Sequence, residues 1–319
     1  MPPDPAAIAA SIRAWGSELG FQQIAITDIH TGDHAQHLQD WVRKNFHGEM
    51  AYMAAHGAKR WQPEQLEPGT CRVISARMDY LPGDDDADAI LQNPAKAYVS
   101  RYALGRDYHK LLRKRLALLA QRIHDEIAPH HFRAFVDSAP VLERAFAEKA
   151  GLGWIGKNTM LINSKAGSWF FLGEIFTDLP LPLDAPQTTA SGEPAKHCGS
   201  CNACLDICPT GAIVAPFQVD ARKCISYLTI ELKGSIPVEL RPQIGNRIYG
   251  CDDCQLVCPW NKFARVTTEK DFQPRHRLAD SDLVELFAWS EAEFLTRTEG
   301  SAIRRIGYQR WLRNIAVAL

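Results

Sequence analysis

The chain has 319 residues, 46% of them hydrophobic, and its formal net charge at pH 7 is -1. This composition is typical of a globular protein with one large core or two smaller ones. It argues against a membrane-spanning protein, because no apolar stretch approaches the length that crosses a bilayer, and a near-zero charge gives no general attraction to nucleic acid. No signal-like segment opens the sequence, so we expect a cytoplasmic location.

The N-terminal part of the chain alternates helical and strand patterns. The longest predicted helix has Leu112, Leu116, Leu119 and Ile123 at spacings of four, three and four, and it ends before Pro129. Short runs of β-branched and aromatic residues predict the strands. In chain order the elements are a helix at 8–19, strands at 24–26, 73–75 and 97–99, a helix at 112–127, and a hairpin of strands at 160–162 and 168–172.

Asp137 follows a predicted strand at 132–136 and precedes a predicted helix with Pro140 in its first turn. A carboxyl group at the end of an apolar strand can have a raised pKa and act as a general acid near neutral pH. The alternative is an N-cap of the following helix, a position that Asp favours. We interpret Asp137 as the candidate proton donor.

Residues 151–156 match G-x-G-x-x-G, the phosphate-binding fingerprint of dinucleotide-binding folds. That fingerprint follows a strand and opens a helix, whereas here a helical pattern at 142–149 precedes the glycines and a strand pattern follows them. The glycines therefore predict a tight backbone path suited to lie against a flat cofactor, with Lys157 and Asn158 as polar groups beside it.

Two runs of cysteines, each ending in Cys-Pro, come next. The first reads C-x2-C-x2-C-x3-C-P, a run that binds [4Fe-4S] clusters in two-cluster ferredoxins, where its fourth Cys ligates the other cluster. The second run has Ile248 where its first Cys belongs, and Cys224 is the replacement. The crossover rule then predicts two groups of four ligands. The first cysteine group is Cys198, Cys201, Cys204 and Cys258. The second cysteine group is Cys208, Cys224, Cys251 and Cys254.

Structural zinc sites are the alternative for these cysteines, because C-x2-C is also zinc-ribbon spacing. The dense first run and the even ligand count fit zinc poorly. Disulfides are disfavoured without a signal for an oxidising compartment. The spacing therefore predicts a protein that transfers electrons through two [4Fe-4S] clusters.

The chain after Pro259 is predicted to be helical. Ser290 and Glu293 have capping-box spacing, and residues 303–319 are amphipathic. A stretch rich in Pro, Ser and Thr at 179–194 marks a boundary. We expect an α+β protein with an α/β core at 1–185, a ferredoxin-like domain at 186–265 and a helical segment at 266–319.

Several motifs together with the cysteine runs resemble the epoxyqueuosine reductase family. They are Arg60 and Trp61, residues 98–108, residues 137–144 and residues 151–159. The resemblance covers nearly the whole chain. It implies an oxidoreductase that reduces epoxyqueuosine to queuosine at the wobble position of tRNA anticodons, with a core like those of nitroreductases and reductive dehalogenases.

The resemblance also implies a cobalamin cofactor bound base-off, without a protein histidine on cobalt. Consistent with this, the corrinoid motif D-x-H-x-x-G is incomplete, because Asp33 stands where glycine is needed. Asp137 is the implied proton donor. The implied cofactor contacts are Arg60, Ser100, Lys157, Asn158 and Lys223.

The expected partners are the tRNA anticodon stem-loop and a flavodoxin or ferredoxin as reductant, with the enzyme a monomer. The C-terminal segment is expected to begin a HEAT-like region. Candidate phosphate contacts are Lys233, Arg304, Arg305, Arg310 and Arg313. Three alternatives remain: a cytoplasmic corrinoid reductase of a small molecule, similar to reductive dehalogenases; a ferredoxin-type electron carrier; and a zinc-dependent nucleic-acid binder.

Overall fold

The computed structural model describes residues 4–83, 86–184 and 197–319. The predicted boundary between residues 185 and 186 lies outside these ranges. Within them, the strands are β1 (Gln23–Thr27), β2 (Arg72–Asp79), β3 (Tyr98–Val99), β4 (Phe132–Phe135), β5 (Trp154–Ile155), β6 (Leu161–Ile162), β7 (Phe170–Thr177), β8 (Ile213–Ala215), β9 (Gln218–Val219) and β10 (Arg247–Tyr249).

Helices surround these strands and dominate the C-terminal segment. The α-helices are α1 (Pro5–Glu18), α2 (His34–Arg43), α3 (Tyr52–Ala55), α4 (Pro63–Leu66), α5 (Ala87–Gln92), α6 (Tyr108–Glu126), α7 (Glu143–Lys149), α8 (Ala203–Ile207), α9 (Ile225–Ile230), α10 (Arg241–Ile244), α11 (Asp253–Leu256), α12 (Leu283–Phe287), α13 (Glu291–Arg297) and α14 (Gly307–Ala318). Short 3₁₀ helices lie at Gly57–Arg60, Arg101–Ala103, Ala221–Lys223, Val238–Leu240, Pro259–Phe263, Lys270–Phe272 and Ala302–Ile306.

A four-stranded sheet in the order β1-β2-β7-β4 organises the N-terminal part, and all of its neighbouring strands are antiparallel. Helices α1 and α6 cover one face, where the predicted apolar stripe of α6 is fully buried. Gly173 of β7 lets α6 approach, because a Cβ there would lie 2.6 Å from Leu116 Cδ1. Helix α7 packs against the other face. The predicted α+β class and the longest helix are confirmed.

The predicted hairpin at 160–172 is only partly correct. Asn163 and Gly167 do form an antiparallel bridge at its turn. Its two arms diverge, however, because β6 pairs with β5 while β7 joins the large sheet. The long apolar run of β7 is explained by its position between two strands, with both faces covered.

Gly151 and Gly153 lie between α7 and β5, and Gly156 directly follows β5, so the predicted helix before the motif and the predicted strand character at the motif are confirmed. Gly153 has a packing reason, since a Cβ there would lie 2.2 Å from the backbone oxygen of Ile162. The motif therefore serves close contact between β5 and β6, and the strand-to-helix context of a dinucleotide site is absent at these residues.

A second hydrophobic core joins all three predicted segments. Strand β3 pairs in parallel with β10, and Val99 and Leu104 pack with Ile248 and with Trp311 of α14. The predicted capping box at Ser290 is present at the start of α13. In the described ranges, no helix is long and apolar enough to cross a membrane.

Candidate active site

A large cavity of about 1510 Å³ opens between one end of the sheet and the cysteine-containing segment. Ligand pockets for drug-sized molecules have roughly 300–1,000 Å³, so this cavity suits a larger occupant. Residues from α2, α6, α7, β7 and the C-terminal segment line it. The lining includes Arg60, Tyr108, His109, Asp137, Glu143, Trp154, Lys157, Phe170, Cys198, Glu231 and Arg305.

Asp137 faces this cavity and is held by two side chains from the start of α6. The hydroxyl of Tyr108 donates to Asp137 Oδ2 at 2.6 Å, and His109 Nε2 lies 3.2 Å from the same oxygen. On its other side, His109 Nδ1 is 2.6 Å from Asp107 Oδ1. Tyr108 is fixed by stacking on Phe171, with ring centroids 3.8 Å apart. Asp107 and Tyr108 belong to the motif at 98–108, and no sequence pattern indicated that they or His109 would contact Asp137.

The protonation of this group differs from the expectation. Burial alone would raise the pKa of Asp137. The hydrogen bonds from His109 and Tyr108 outweigh burial and leave this pKa below its usual value. For His109 burial has the opposite effect and lowers the pKa. The hydrogen bonds and charges of Asp107 and Asp137 outweigh burial and raise the pKa of His109 to about 9. The raised pKa expected for Asp137 is therefore wrong for this conformation. At neutral pH the proton of the pair resides on the imidazole, beside a carboxylate.

The N-cap alternative for Asp137 is also wrong. Helix α7 begins at Glu143, its N-cap position is Leu142, and Pro140 lies before the helix. Asp137 has φ 46° and Ser138 N–H donates to the Val136 oxygen at 2.5 Å, so Asp137 is the centre of a three-residue turn. Such a turn with positive φ is rare and strained. It aims the carboxyl group of Asp137 at the cavity.

Arg60 and Lys157, two predicted cofactor contacts, lie at this cavity. Arg60 is buried and donates from Nη2 to the Tyr52 oxygen at 2.5 Å. Among the described residues, Arg60 Nε and Trp154 Nε1 are buried without a hydrogen-bond partner. Lys157 Nζ donates to the Cys201 oxygen at 2.8 Å, beside the first cysteine group. The cavity thus presents buried donors that are available to a ligand.

The other three predicted cofactor contacts lie elsewhere. Asn158 is buried and donates to the Cys254 oxygen at 3.2 Å, so it braces the second cysteine group. Ser100 is buried and donates to Asp252 Oδ1 at 2.6 Å. Lys223 is exposed and does not line the large cavity. These positions argue against direct contacts of Asn158, Ser100 and Lys223 with an occupant of the large cavity; Asn158 instead lines a smaller cavity at the first cysteine group.

The thiols of the first cysteine group surround a smaller cavity of about 320 Å³, which Cys198, Cys201, Cys204 and Cys258 all line. Burial, followed by the charges of its group members, raises the pKa of Cys204 to about 11. In the described part of the chain, no three Cys, His, Asp or Glu side chains converge on a site for a single metal ion. The donor set and the space between the donors fit a cubane cluster better than zinc.

The thiols of the second cysteine group lie near one another, and the division of the cysteines between two clusters stays a prediction. Burial raises the pKa of Cys254 well above its usual value, and the charges of neighbouring thiols, that of Cys224 first, add to this. Cys224 in turn feels the charge of Cys208, and Cys251 feels that of Cys224. Cys224 therefore lies close enough to Cys208 and Cys251 to serve as the predicted replacement for the missing cysteine.

Aromatic rings separate the two cavities. The ring centroids of Trp154 and His197 are 4.3 Å apart, and those of Trp154 and Trp260 are 5.0 Å apart. Cys198 lines both cavities. The first cysteine group is therefore the one that adjoins the cavity of Asp137.

The candidate phosphate contacts divide into two kinds. Arg310 and Arg313 donate to backbone oxygens, among them those of Ile230 at 2.9 Å and Leu228 at 2.7 Å, and thereby fasten α14 to α9. This internal use argues against phosphate binding by Arg310 and Arg313. The others, Lys233, Arg304 and Arg305, are exposed. Arg304 also donates to the Leu295 oxygen at 3.0 Å, and Arg305 lines the large cavity and pairs with Glu231.

Comparison with known protein families gives two matches, one in the N-terminal part of the chain and one in the cysteine-containing segment. Residues 60–138 match the family described as epoxyqueuosine reductase QueG, DUF1730, and residues 197–261 match the 4Fe-4S double cluster binding domain. The chain is 66% identical to the epoxyqueuosine reductase of Pseudomonas aeruginosa, over 100% of this chain and 86% of the relative. It is 60% identical to that of Escherichia coli, over 98% and 80%.

Solved structures show the same likeness. A crystal structure of epoxyqueuosine reductase with an epoxyqueuosine-modified tRNA-Tyr stem loop matches with a TM-score of 0.88 and 30% identity, over 99% of this chain and 82% of that one. The Bacillus subtilis enzyme with its catalytic aspartate loop swung out of the active site matches with a TM-score of 0.86 and 30% identity, over 99% and 82%. The reductive dehalogenase NpRdhA, at 17% identity and a TM-score of 0.52, over 98% and 39%, shares the fold.

Proposed function

This chain belongs to the epoxyqueuosine reductase family, and we propose that it reduces epoxyqueuosine to queuosine in tRNA with Asp137 and His109 as its proton-donating pair. The observation that carries the proposal is the position of Asp137, in a large cavity that the first cysteine group adjoins. Proton donor and electron source thereby meet at one site.

The reaction sets the requirements that the site has to meet. Converting an epoxide to an alkene consumes two electrons and two protons and releases water. Each [4Fe-4S] cluster passes one electron at a time, so two clusters in series suit a two-electron reduction. We assign the first cysteine group to the cluster nearer the large cavity and the second cysteine group to the other cluster.

Cobalamin is the cofactor that we propose for the large cavity. The cavity volume and the unpaired buried donors of Arg60 and Trp154 fit a large ligand rich in amide oxygens. When bound, the corrinoid supplies a low-potential metal centre for the reduction, and the protein supplies position and protons. Arg60, Trp154 and Lys157 are the residues that we expect to hold it.

Proton delivery is the task that the chain's own residues perform. With a pKa of about 9, His109 holds its proton at neutral pH and lies 3.2 Å from Asp137. We infer that the proton passes from His109 Nε2 to the Asp137 carboxylate and from there to the epoxide oxygen, with Asp107 keeping the imidazole oriented. This arrangement supplies protons in sequence from one side of the cavity.

The tRNA is expected to enter at the face of Arg304, Arg305 and Lys233. Arg305 lines the large cavity and is exposed, so it is suited to a phosphate beside the modified base. We further propose a flavodoxin or ferredoxin as reductant, a monomeric enzyme, and action in the cytoplasm because the substrate is tRNA.

The test is turnover of an epoxyqueuosine-containing anticodon stem-loop by anaerobically reconstituted protein, with and without cobalamin and with a strong chemical reductant. We expect queuosine, followed by mass spectrometry, only when cobalamin is present. Asp137→Ala should keep iron and corrinoid bound yet lose turnover. Absence of product from protein loaded with both clusters and corrinoid would overturn the proposed substrate, and normal turnover by Asp137→Ala would overturn the proton donor.

A further inference from the structure

Glu174 is a fully buried carboxyl group in the middle of β7. Its register partners are Ser75 on β2 and Phe135 on β4. Within the described ranges, neither of its oxygens has a hydrogen-bond donor, and the buried Ser75 hydroxyl has no partner either. An unpaired carboxyl group inside a sheet costs stability, so its presence requires a reason.

Glu143, the first residue of α7, supplies the group beside it. Burial, then the charge of Glu143, raises the pKa of Glu174 well above its usual value. Burial, then the charge of Asp137, raises the pKa of Glu143 to about 8. Two ionised carboxylates would only accept hydrogen bonds and would repel each other, and both pKa values are raised, so at least one of the two carboxyl groups keeps its proton near neutral pH.

Glu143 also contacts the backbone of Asp137. Glu143 Oε1 accepts a hydrogen bond from the Asp137 N–H at 2.5 Å. Asp137 has φ 46°, a region that residues other than glycine adopt rarely, so its conformation needs an external partner. Tyr108 and His109 orient the carboxyl group of Asp137, whereas Glu143 holds its backbone.

We propose that Glu143, which lies beside the buried carboxyl group of Glu174, is the positioning residue that holds the Asp137 loop toward the cavity during epoxyqueuosine reduction. This inference rests on the proposed function. The Asp137 N–H donates to Glu143 Oε1, so a single acceptor secures the backbone of the loop. The catalytic aspartate loop of the Bacillus subtilis relative has a swung-out state, which is the state that this contact disfavours here.

The surrounding charges leave this assignment intact. Asp137 and Arg144 interact electrostatically with Glu143, and the Tyr108 hydroxyl on α6 is coupled to both Asp137 and Glu143. Arg144 donates to the Thr159 oxygen. From β2 the group facing Glu174 is the uncharged Ser75.

The test compares Glu143→Ala with Glu143→Gln in the full chain carrying clusters and corrinoid. Alanine removes the acceptor, whereas the glutamine amide oxygen keeps it and its NH₂ group can donate to Glu174. We expect Glu143→Ala to lower kcat by about 10²-fold with KM for the stem-loop within about twofold, as a misplaced catalytic group does. Glu143→Gln should restore most of the turnover. Amide hydrogen exchange at Asp137 should be faster in Glu143→Ala alone.

A second variant addresses the chance that Glu143→Ala damages the fold. Glu174→Met fills the same space without an unpaired carboxyl group, so it should raise the temperature of unfolding and still lower kcat. Wild-type kcat in Glu143→Ala, or unchanged Asp137 exchange, would overturn the inference. A wild-type protein that makes no queuosine would instead count against the proposed function, while the exchange comparison still judges the role of Glu143.

Discussion

The substitution Asp107→Asn should lower the pKa of His109 without disturbing the helix that carries it. Asp107 is the N-cap of α6, where its side chain accepts from the His109 N–H at 3.1 Å. Asparagine is an equally good N-cap, so the helix start is retained. What is lost is the carboxylate charge 2.6 Å from His109 Nδ1.

The expected size follows from the pKa of His109, which is raised from 6.5 to about 9. That difference corresponds to roughly 3 kcal/mol in favour of the charged imidazole, and His109 is 23% exposed, so little is lost to solvent screening. Asp107, which is 35% exposed, shares the effect with Asp137. We assign to Asp107 about 1 kcal/mol, which predicts a pKa near 8 in the variant.

The sign of the stability change follows from linkage. Because folding raises the pKa of His109, its charge stabilises the fold fully below pH 6.5, and this contribution is lost as pH rises through about 9. Asp107→Asn should therefore lower the free energy of unfolding by about 1 kcal/mol near pH 6 and have little effect near pH 10.

The assay is NMR titration of ¹⁵N-histidine in protein with oxidised clusters, with the His109 signal assigned through His109→Gln. Asp280→Asn, an exposed residue paired with Lys96, is the matched control and should leave the pKa of His109 near 9. If Asp107→Asn also leaves it there, the electrostatic account of this site is refuted.

Four further substitutions test the packing and the candidate phosphate contacts. Asp252→Ala leaves the buried donors of Tyr98, Ser100 and Arg101 without an acceptor. It should lower the free energy of unfolding by about 3–5 kcal/mol, measured as a lower unfolding temperature at a fixed scan rate. Arg313→Ala should lower stability without a selective effect on stem-loop affinity. Arg304→Ala should keep stability and reduce the slope of log affinity for the stem-loop against log salt concentration by roughly 0.7–0.9. The reverse pattern would contradict both assignments. Gly153→Ala should destabilise by forcing β5 away from the Ile162 backbone, and an unchanged unfolding temperature would show that this contact relaxes freely.

Sequence patterns predicted best what depends on local spacing. The division of the cysteines follows from intervals along the chain, and the stripe of α6 follows from its helical period. The turn at Asp137 was mistaken for a helix start, because Pro140 fits a first turn equally well. The partners of individual side chains were harder to predict from the sequence. Whether Arg313 contacts a phosphate or a carbonyl oxygen, for example, depends on how α14 packs against α9. The raised pKa of His109 likewise depends on Asp137, which a different element supplies.

The parallel pairing of β3 with β10 has a consequence for how the chain is made. During translation Tyr98 and Val99 leave the ribosome about 150 residues before their partner strand. At roughly 5–20 residues per second, they wait roughly 8 to 30 s with an apolar edge uncovered. We expect the nascent chain to engage chaperones over this interval, and the second core to close only once α14 has been synthesised.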